Sequence, residues 1–457
     1  MWTRYFRITE RGSSWTREVL GGVTTFATMA YIIVVNPAIL AFAGLPTGPS
    51  TVATILASVV GCLLMGFYAN RPLAVAPYMG ENAFLAFGLA ALGISWQMRL
   101  GAVFVAGLLF LLLTSLRLRE WLAASISPSM RCSFAVGIGL FLAFIGLYET
   151  GVVRSSMAGQ PTPPTEFLAN PAVPVMLGDL HDIRVQLSLA SFVITVALLQ
   201  RRVRGAILLG IILTALAGAA LGVNRPPQAW FALPFTGDYT LAPVALQLDI
   251  AGILQPRYIP VLLTLLLMGF LDTLGSLVGI DIATPVSRDG SAPSARDSED
   301  LHRPMVVDAL SCMASALLGT STSGAYIESA AGIREGARTG AATIVTAALF
   351  ACSLFFIPMF TAMQELKYAY GPALMVVGIM MMEAVKRIDF EDITEAAPAF
   401  VTLAMIVFSY SIANGLTMGL ILHPLLKLLS GRHREVHPGG YLLAAVCLLY
   451  YLIGHTH

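Results

Sequence analysis

Apolar runs without a single charged side chain recur from one end of this chain to the other. Thr51 to Ala69 is one, and Ala83 to Trp96 is another. A helix of about 20 such residues crosses a hydrocarbon layer of roughly 30 Å. Inside lipid every backbone polar group needs an internal partner, so repeated runs of this kind imply a bundle of spanning helices. The alternating pattern of a membrane β-barrel is absent. Composition agrees: 57% of the 457 residues are apolar and 12% charged, against roughly 25% charged in soluble domains. The fold class is therefore an all-α polytopic membrane protein. A net charge of +1 gives no nucleic-acid footprint. Cys62, Cys132, Cys312, Cys352 and Cys447 stand singly in apolar runs, without metal-ligand or paired spacing, and read as small apolar fillers. The polar and aromatic N-terminus lacks the apolar core of a signal peptide and reads as a retained cytoplasmic arm, with Trp2, Phe6 and Trp15 at the membrane interface.

The pattern predicts helices near 19–41, 51–69, 80–92, 98–116, 128–148, 183–199, 204–222, 258–279, 304–319, 326–336, 339–361, 371–384, 394–410 and 413–430, with a further apolar stretch at 440–454 on or in the membrane. Starting the chain inside and alternating the loops leaves only Arg99, Arg154, Arg184, Arg225, Arg257 and Lys367, of 27 Lys and Arg, on the outside. This positive-inside bias supports fourteen segments and a cytoplasmic N-terminus; the expected location is the plasma or inner membrane. Loops 149–182 and 223–257 are long and outside; loop 281–303 is inside and flexible, and it divides the chain into two sets of seven helices. An odd number per half inverts the second half on the first, a hallmark of secondary transporters.

The third segment of each half is short and follows a few extended residues, expected as short strands. "APYMGENAF", Ala76 to Phe84, opens one, and "STSGAYIESAAG", Ser321 to Gly332, opens the other. Interrupted segments at matching positions point to a transporter's binding site, because a half-helix starting at mid-membrane aims its N-terminal dipole at a ligand. Glu81, Glu328 and Asp272 are the acids that stand out, and ionisable residues at membrane depth are functional by default. A carboxyl kept from water can exchange a proton near neutral pH and accept bonds from ring N–H donors. Three acids disfavour an anion and favour a neutral, hydrogen-bonding or cationic substrate. Against these stand plainer roles: Glu81 as a first-turn acid, Glu328 as a cap, Asp272 bonded to a hydroxyl such as Thr273, and Asn82 as a cap. Asp308, Glu149 and Glu383 read as solvated helix-end acids, and His423 as a packing or gating residue.

The blocks "GGVTTFATMAYIIVVNPAIL", "APYMGENAF", "FLDTLGSLVG", "GTSTSGAYIESAAGIREGARTG" and the stretch from "YGPALMVVGIMM" to "IANGLTMG" resemble the adenine/guanine/hypoxanthine permease branch of the nucleobase–cation symporter-2 family, over about residues 15–432. The resemblance implies a seven-plus-seven inverted repeat in which a core domain (19–116 and 258–361) moves like an elevator against a gate domain (117–257 and 362–432). Residues 1–18 and 433–457 flank them, and the gate domains dimerise. It implies a purine nucleobase as cargo, H⁺ as coupling ion (Na⁺ as the alternative), no cofactor and no metal. Carried over by position, Gly80 and Asn82 belong to the third-segment site, Asp272 to helix eight, and Glu328 to the tenth-segment carboxylate that holds the base. Ala83, Tyr326 and Ile327 flank the pocket, and Thr273 joins the substrate-binding set. Asp272, Glu328 and Glu81 are the proton-coupling candidates. One departure stands out: the branch commonly carries a second acid one turn before Asp272, where this chain has Gly269, and often an apolar residue where this chain has Glu81. Glu81 is therefore expected to point into the cavity and take over that acid's task.

Two other readings stand beside this one. The same fold could carry xanthine, uracil or another small polar solute. An intramembrane aspartyl protease would need a second catalytic Asp facing Asp272 and a Gly-x-Gly-Asp motif, which the sequence lacks, and His423 alone offers no serine–histidine site. The chain does not read as an enzyme.

Overall fold

The computed structural model describes residues 2–89, 93–116, 121, 125–155, 175–225, 227, 229–283 and 295–453. Its first half contains α1 (Trp15–Met29), α2 (Ile32–Ala41), α3 (Thr47–Leu64), β1 (Val75–Pro77), α4 (Met79–Ala83), α5 (Trp96–Ser115), α6 (Pro128–Glu149), β2 (Val153–Ser155), β3 (Val175–Leu177), α7 (Ile183–Gln200) and α8 (Ala206–Ala220). The second half contains α9 (Ile259–Ala283), α10 (Ala295–Leu318), β4 (Ser323–Ala325), α11 (Ser329–Arg334), α12 (Gly340–Ser353), α13 (Ile357–Gln364), α14 (Lys367–Met381), α15 (Ile393–Phe408), α16 (Ile412–Leu429) and α17 (Pro438–Ile453). Among the described residues, eight helical stretches are long and apolar enough to cross a membrane, the first running from Trp15 to Ala41. The chain is a mostly helical, multi-pass membrane protein.

Several boundaries differ from the sequence expectation for identifiable reasons. The first segment is two helices, α1 and α2, joined at Ala30–Tyr31. Within α2, Pro37 has no N–H to give the carbonyl of Ile33, and an interior proline costs about 3 kcal/mol if nothing compensates. Here Gln364 Nε2 donates to the Ile33 oxygen at 3.0 Å. Pro372 in α14 likewise frees the Tyr368 carbonyl, which accepts from Ser188 Oγ at 3.1 Å. The flexible loop expected at 281–303 shrinks: α9 runs to Ala283 and α10 begins at Ala295, and 284–294 lie outside the described residues.

The two short third segments meet. β1 and β4 form an antiparallel pair, with Val75 opposite Ala325, Ala76 opposite Gly324 and Pro77 opposite Ser323. Pro77 biases Ala76 towards extended backbone. The ladder continues past the strands: Tyr78 N donates to Thr322 O at 2.8 Å and Tyr326 N to Ala74 O at 2.9 Å. Gly324 is required at its position, because a Cβ would stand 2.2 Å from the Tyr78 hydroxyl. The strand pair is buried on every side. Extended backbone at membrane depth is tolerated when it is enclosed by protein.

Around the pair, α1 and α3 pack on α12, and α5 packs on α10. Separately, α6 packs on α14 and α15, and α15 packs on α16. Glu18, fully buried on α1, accepts from the N–H groups of Arg338 (2.9 Å), Thr339 and Ala342 (both 3.3 Å), so its carboxylate caps the start of α12. α3 and α4 each end in a π-helical turn, Met65–Ala69 and Phe84–Gly88. Such wide turns are frequent at functional sites.

Candidate functional site

The strand pair delivers α4 and α11 to opposite sides of one buried polar cluster. Tyr78 and Tyr326, the residues following the two strands, lie with parallel rings at 6.2 Å between centroids. The Tyr326 hydroxyl donates to the Pro77 carbonyl. The Tyr78 hydroxyl sits between Thr273 Oγ1 and Asp308 Oδ2, at 3.4 Å from each.

Glu81 occupies the first turn of α4 and is fully buried, and neither of its carboxylate oxygens has a hydrogen-bond partner among the described residues. It faces α9: a Cβ at Gly269 would sit 3.3 Å from Glu81 Oε1. Asp272 and Asp308 both lie close enough to act on it electrostatically. Asp272, half-buried on α9, stands near Gly80, where a Cβ would be 3.8 Å from Asp272 Oδ2 and 2.7 Å from Ile138 Cγ2 of α6. Gly80 therefore lets three helices close on one point. Thr273 is buried beside Asp272.

Glu328 precedes α11 and is half-buried; its side chain makes no capping bond and instead accepts from the Tyr31 hydroxyl at 3.0 Å. Tyr31 lies at the break between α1 and α2, so the break presents a hydroxyl to the tenth segment. Asn82 donates from Nδ2 to the Asn36 carbonyl at 3.2 Å, and its buried Oδ1 is left without a partner. Asn36 is itself held by Thr54, Thr320 and Ser321 at 2.8, 2.9 and 3.0 Å. Ala83 is fully buried behind Asn82, while Ile327 is 49% exposed between Tyr326 and Glu328.

Asp308 corrects the sequence reading. It is 1% exposed rather than solvated, accepts from the Tyr78 hydroxyl through Oδ2, and lies within hydrogen-bonding reach of Thr273 and the Ala325 N–H. Placing the helix start near 304 put it at an end; α10 starts at Ala295, so Asp308 is well inside a helix. Tyr31, Tyr78 and Asn36 were also missed, because a tyrosine or asparagine in an apolar run reads as packing until its partner is known. His423 contacts Glu395 at 3.0 Å near the far ends of α15 and α16, away from this cluster.

An unpartnered buried polar atom calls for an explanation. Among the described residues, both oxygens of Glu81 and the Oδ1 of the adjacent Asn82 are such atoms on the third-segment half-helix. Each lacks an N–H or O–H donor, the complement of a ring amide or a proton.

Residues 16–418 match a family described as a permease family. This chain belongs to it, the nucleobase–cation symporter-2 family. The guanine/hypoxanthine permease PbuG of Bacillus subtilis is 36% identical over 461 residues, covering 98% of this chain and 99% of its own. The adenine permease AdeP of Escherichia coli is 34% identical over 458 residues, covering 98% and 95%. Among solved structures, the transmembrane domain of a cyanobacterial bicarbonate transporter, BicA, superposes with a TM-score of 0.61 at 16% identity, over 88% of this chain and 97% of that one. At that identity the likeness speaks for the fold alone. Members of this permease family are transporters, and this permease is not an enzyme.

Proposed function

We propose that this permease imports purine nucleobases by proton-coupled symport. The observation that carries the reading is the set of unpartnered acceptor oxygens on Glu81 and Asn82 in the third-segment half-helix, with Asp272 and Asp308 close to Glu81. A purine is a flat, neutral ring edged with N–H groups, and it supplies the donors these oxygens lack. The names of the relatives, which carry guanine, hypoxanthine or adenine, point to the same cargo. The bicarbonate carrier's fold does not argue for an anion here, since clustered carboxylates repel one.

In this mechanism Glu328, steadied by Tyr31, holds the base from the tenth segment, while Asn82, Glu81 and the backbone around Gly80 and Ala83 hold it from the third. Asp272 and Thr273 border it from α9, and Tyr326 and Ile327 close the rim. A proton on Glu81, Asp272 or Glu328 turns an acceptor into a donor and relieves like-charge repulsion, which couples proton and cargo occupancy. The wider scheme is fourteen segments in two inverted sets of seven, with the N-terminus in the cytoplasm. A core domain (19–116 and 258–361) carries the site past a dimerising gate domain (117–257 and 362–432) in an elevator motion. The separate packing of α6 with α14–α16 and of α5 with α10 supports that division.

The test is uptake of labelled adenine, guanine, hypoxanthine, xanthine and uracil into a transport-deficient cell, with and without a pH gradient. Purine uptake that collapses with the gradient is expected. Uptake of uracil or xanthine alone, or uptake driven by Na⁺ at zero pH gradient, would overturn the corresponding part.

A further inference from the structure

Arg99 is a charged side chain in an unusual place. It is 7% exposed, and no acidic side chain acts on it among the described residues. A buried guanidinium is costly unless its donors are met. Among the described residues its partners are backbone carbonyls: Nη1 donates to Leu85 at 2.6 Å and Ala86 at 3.1 Å, and Nε donates to Ile94 at 2.9 Å. Leu85 and Ala86 belong to the π-helical turn that ends the third-segment half-helix. Carbonyls at a helix end carry partial negative charge, which a cation neutralises.

The second half repeats the device. Arg338 Nη1 donates to Ile333 O at 2.8 Å and Ala337 O at 2.9 Å, and Ile333 lies in the last turn of α11. Each arginine reaches the carbonyl five residues before it, and each completes the same spacing, Gly-Ile-x4-Arg, at Gly93–Arg99 and Gly332–Arg338.

We infer that Arg99 and Arg338 are positioning residues for the transport site, each clamping the far end of one half-helix so that Glu81 with Asn82, and Glu328, stand at fixed places. The inference rests on the functional reading above. Both half-helices are too short to hold an orientation by their own hydrogen bonds, and each is tethered at its start by the shared strand pair. The clamp fixes the other end. In each half one Nη1 meets both carbonyls, held there by a rigid planar group, and lysine keeps the charge but puts it on a flexible stem as a point charge.

The experiment compares the full-length protein with Arg99→Lys and Arg338→Lys, and with Arg432→Lys, an exposed arginine just beyond the end of α16, as control. Each clamp variant is expected to raise the KM for the transported purine by about tenfold or more, with Vmax per inserted molecule and melting temperature near those of the parent. Backbone hydrogen exchange across Met79–Gly88 in the first variant, and across Ser329–Arg334 in the second, is expected to quicken. The control should change neither. Unchanged KM and unchanged exchange in both variants would overturn the inference. So would a fall in melting temperature or abundance with KM unchanged, which would make the arginines folding residues only. If the parent itself takes up no purine, the functional reading falls, and the exchange measurement still decides the clamp.

Discussion

Glu81 and Gly269 face each other across the interface of α4 and α9, so close that a Cβ on Gly269 would stand 3.3 Å from Glu81 Oε1. The glycine thus accommodates the acid. Gly269→Asp is expected to abolish uptake by forcing two carboxylates into one space. Adding Glu81→Ala to it, which moves the acid from one helix to the other, should restore part of the lost activity. A double variant no better than Gly269→Asp alone would show that the two positions are not interchangeable.

Glu328→Gln and Asp272→Asn should each abolish uptake while the protein still reaches the membrane. Tyr31→Phe tests the bond that steadies Glu328. Losing a bond to a charged group is worth about 1.5–3 kcal/mol, so the KM should rise by roughly tenfold or more. Wild-type uptake by any of the three would remove the role assigned to that side chain.

Asp308→Asn keeps the volume and the acceptor for Tyr78 but removes the charge. Uptake is expected to drop by about tenfold, with little change in melting temperature. A normal rate would return Asp308 to a packing role.

Gly324→Ala adds a methyl group 2.2 Å from the Tyr78 hydroxyl, where backbone and ring are both fixed by the strand pair. Overpacking of this kind costs about 1–3 kcal/mol. The melting temperature in detergent should fall, and uptake with it. A fully stable variant would mean that Tyr78 is free to move.

Outside the spans, Asp392 is held well below the usual carboxylate range, first by the Thr394 hydroxyl and then by Lys427 and Arg432. Glu435 is lowered chiefly by its bonds to Arg432. Groups depressed on folding stabilise the protein above their ordinary pKa, and that contribution is lost as pH falls through the folded value. Thermal stability should therefore decline on acidification below about pH 4, and Asp392→Asn should flatten the decline. An unaltered slope in that variant would place the acid sensitivity elsewhere.

Much of this arrangement was legible in the chain. The matched segments around Tyr78 and Tyr326 predicted extended lead-ins to short helices, and the strand pair joins them as that symmetry suggests. Periodicity finds helices because lipid leaves the backbone no alternative. It does not report where a helix begins inside a polar stretch, so Asp308 was placed at an end. Nor could spacing reveal that Pro37 frees a carbonyl for Gln364, or that Arg99 closes on Leu85 and Ala86. Those are partnerships across unrelated parts of the sequence, visible only once the helices are packed.

The pairing of Val75–Pro77 with Ser323–Ala325 also sets the order in which this protein can be built. When the first strand leaves the ribosome, its partner is still some 250 residues from being made, and long-range pairings of this kind form late. Until Ser323 arrives, Pro77 and its neighbours have an open edge, and the third segment waits without its counterpart. The candidate site cannot mature by halves: it waits for the second strand, with 132 of the 457 residues still to follow, and a chain cut short before that strand would carry helices but only half of the strand pair.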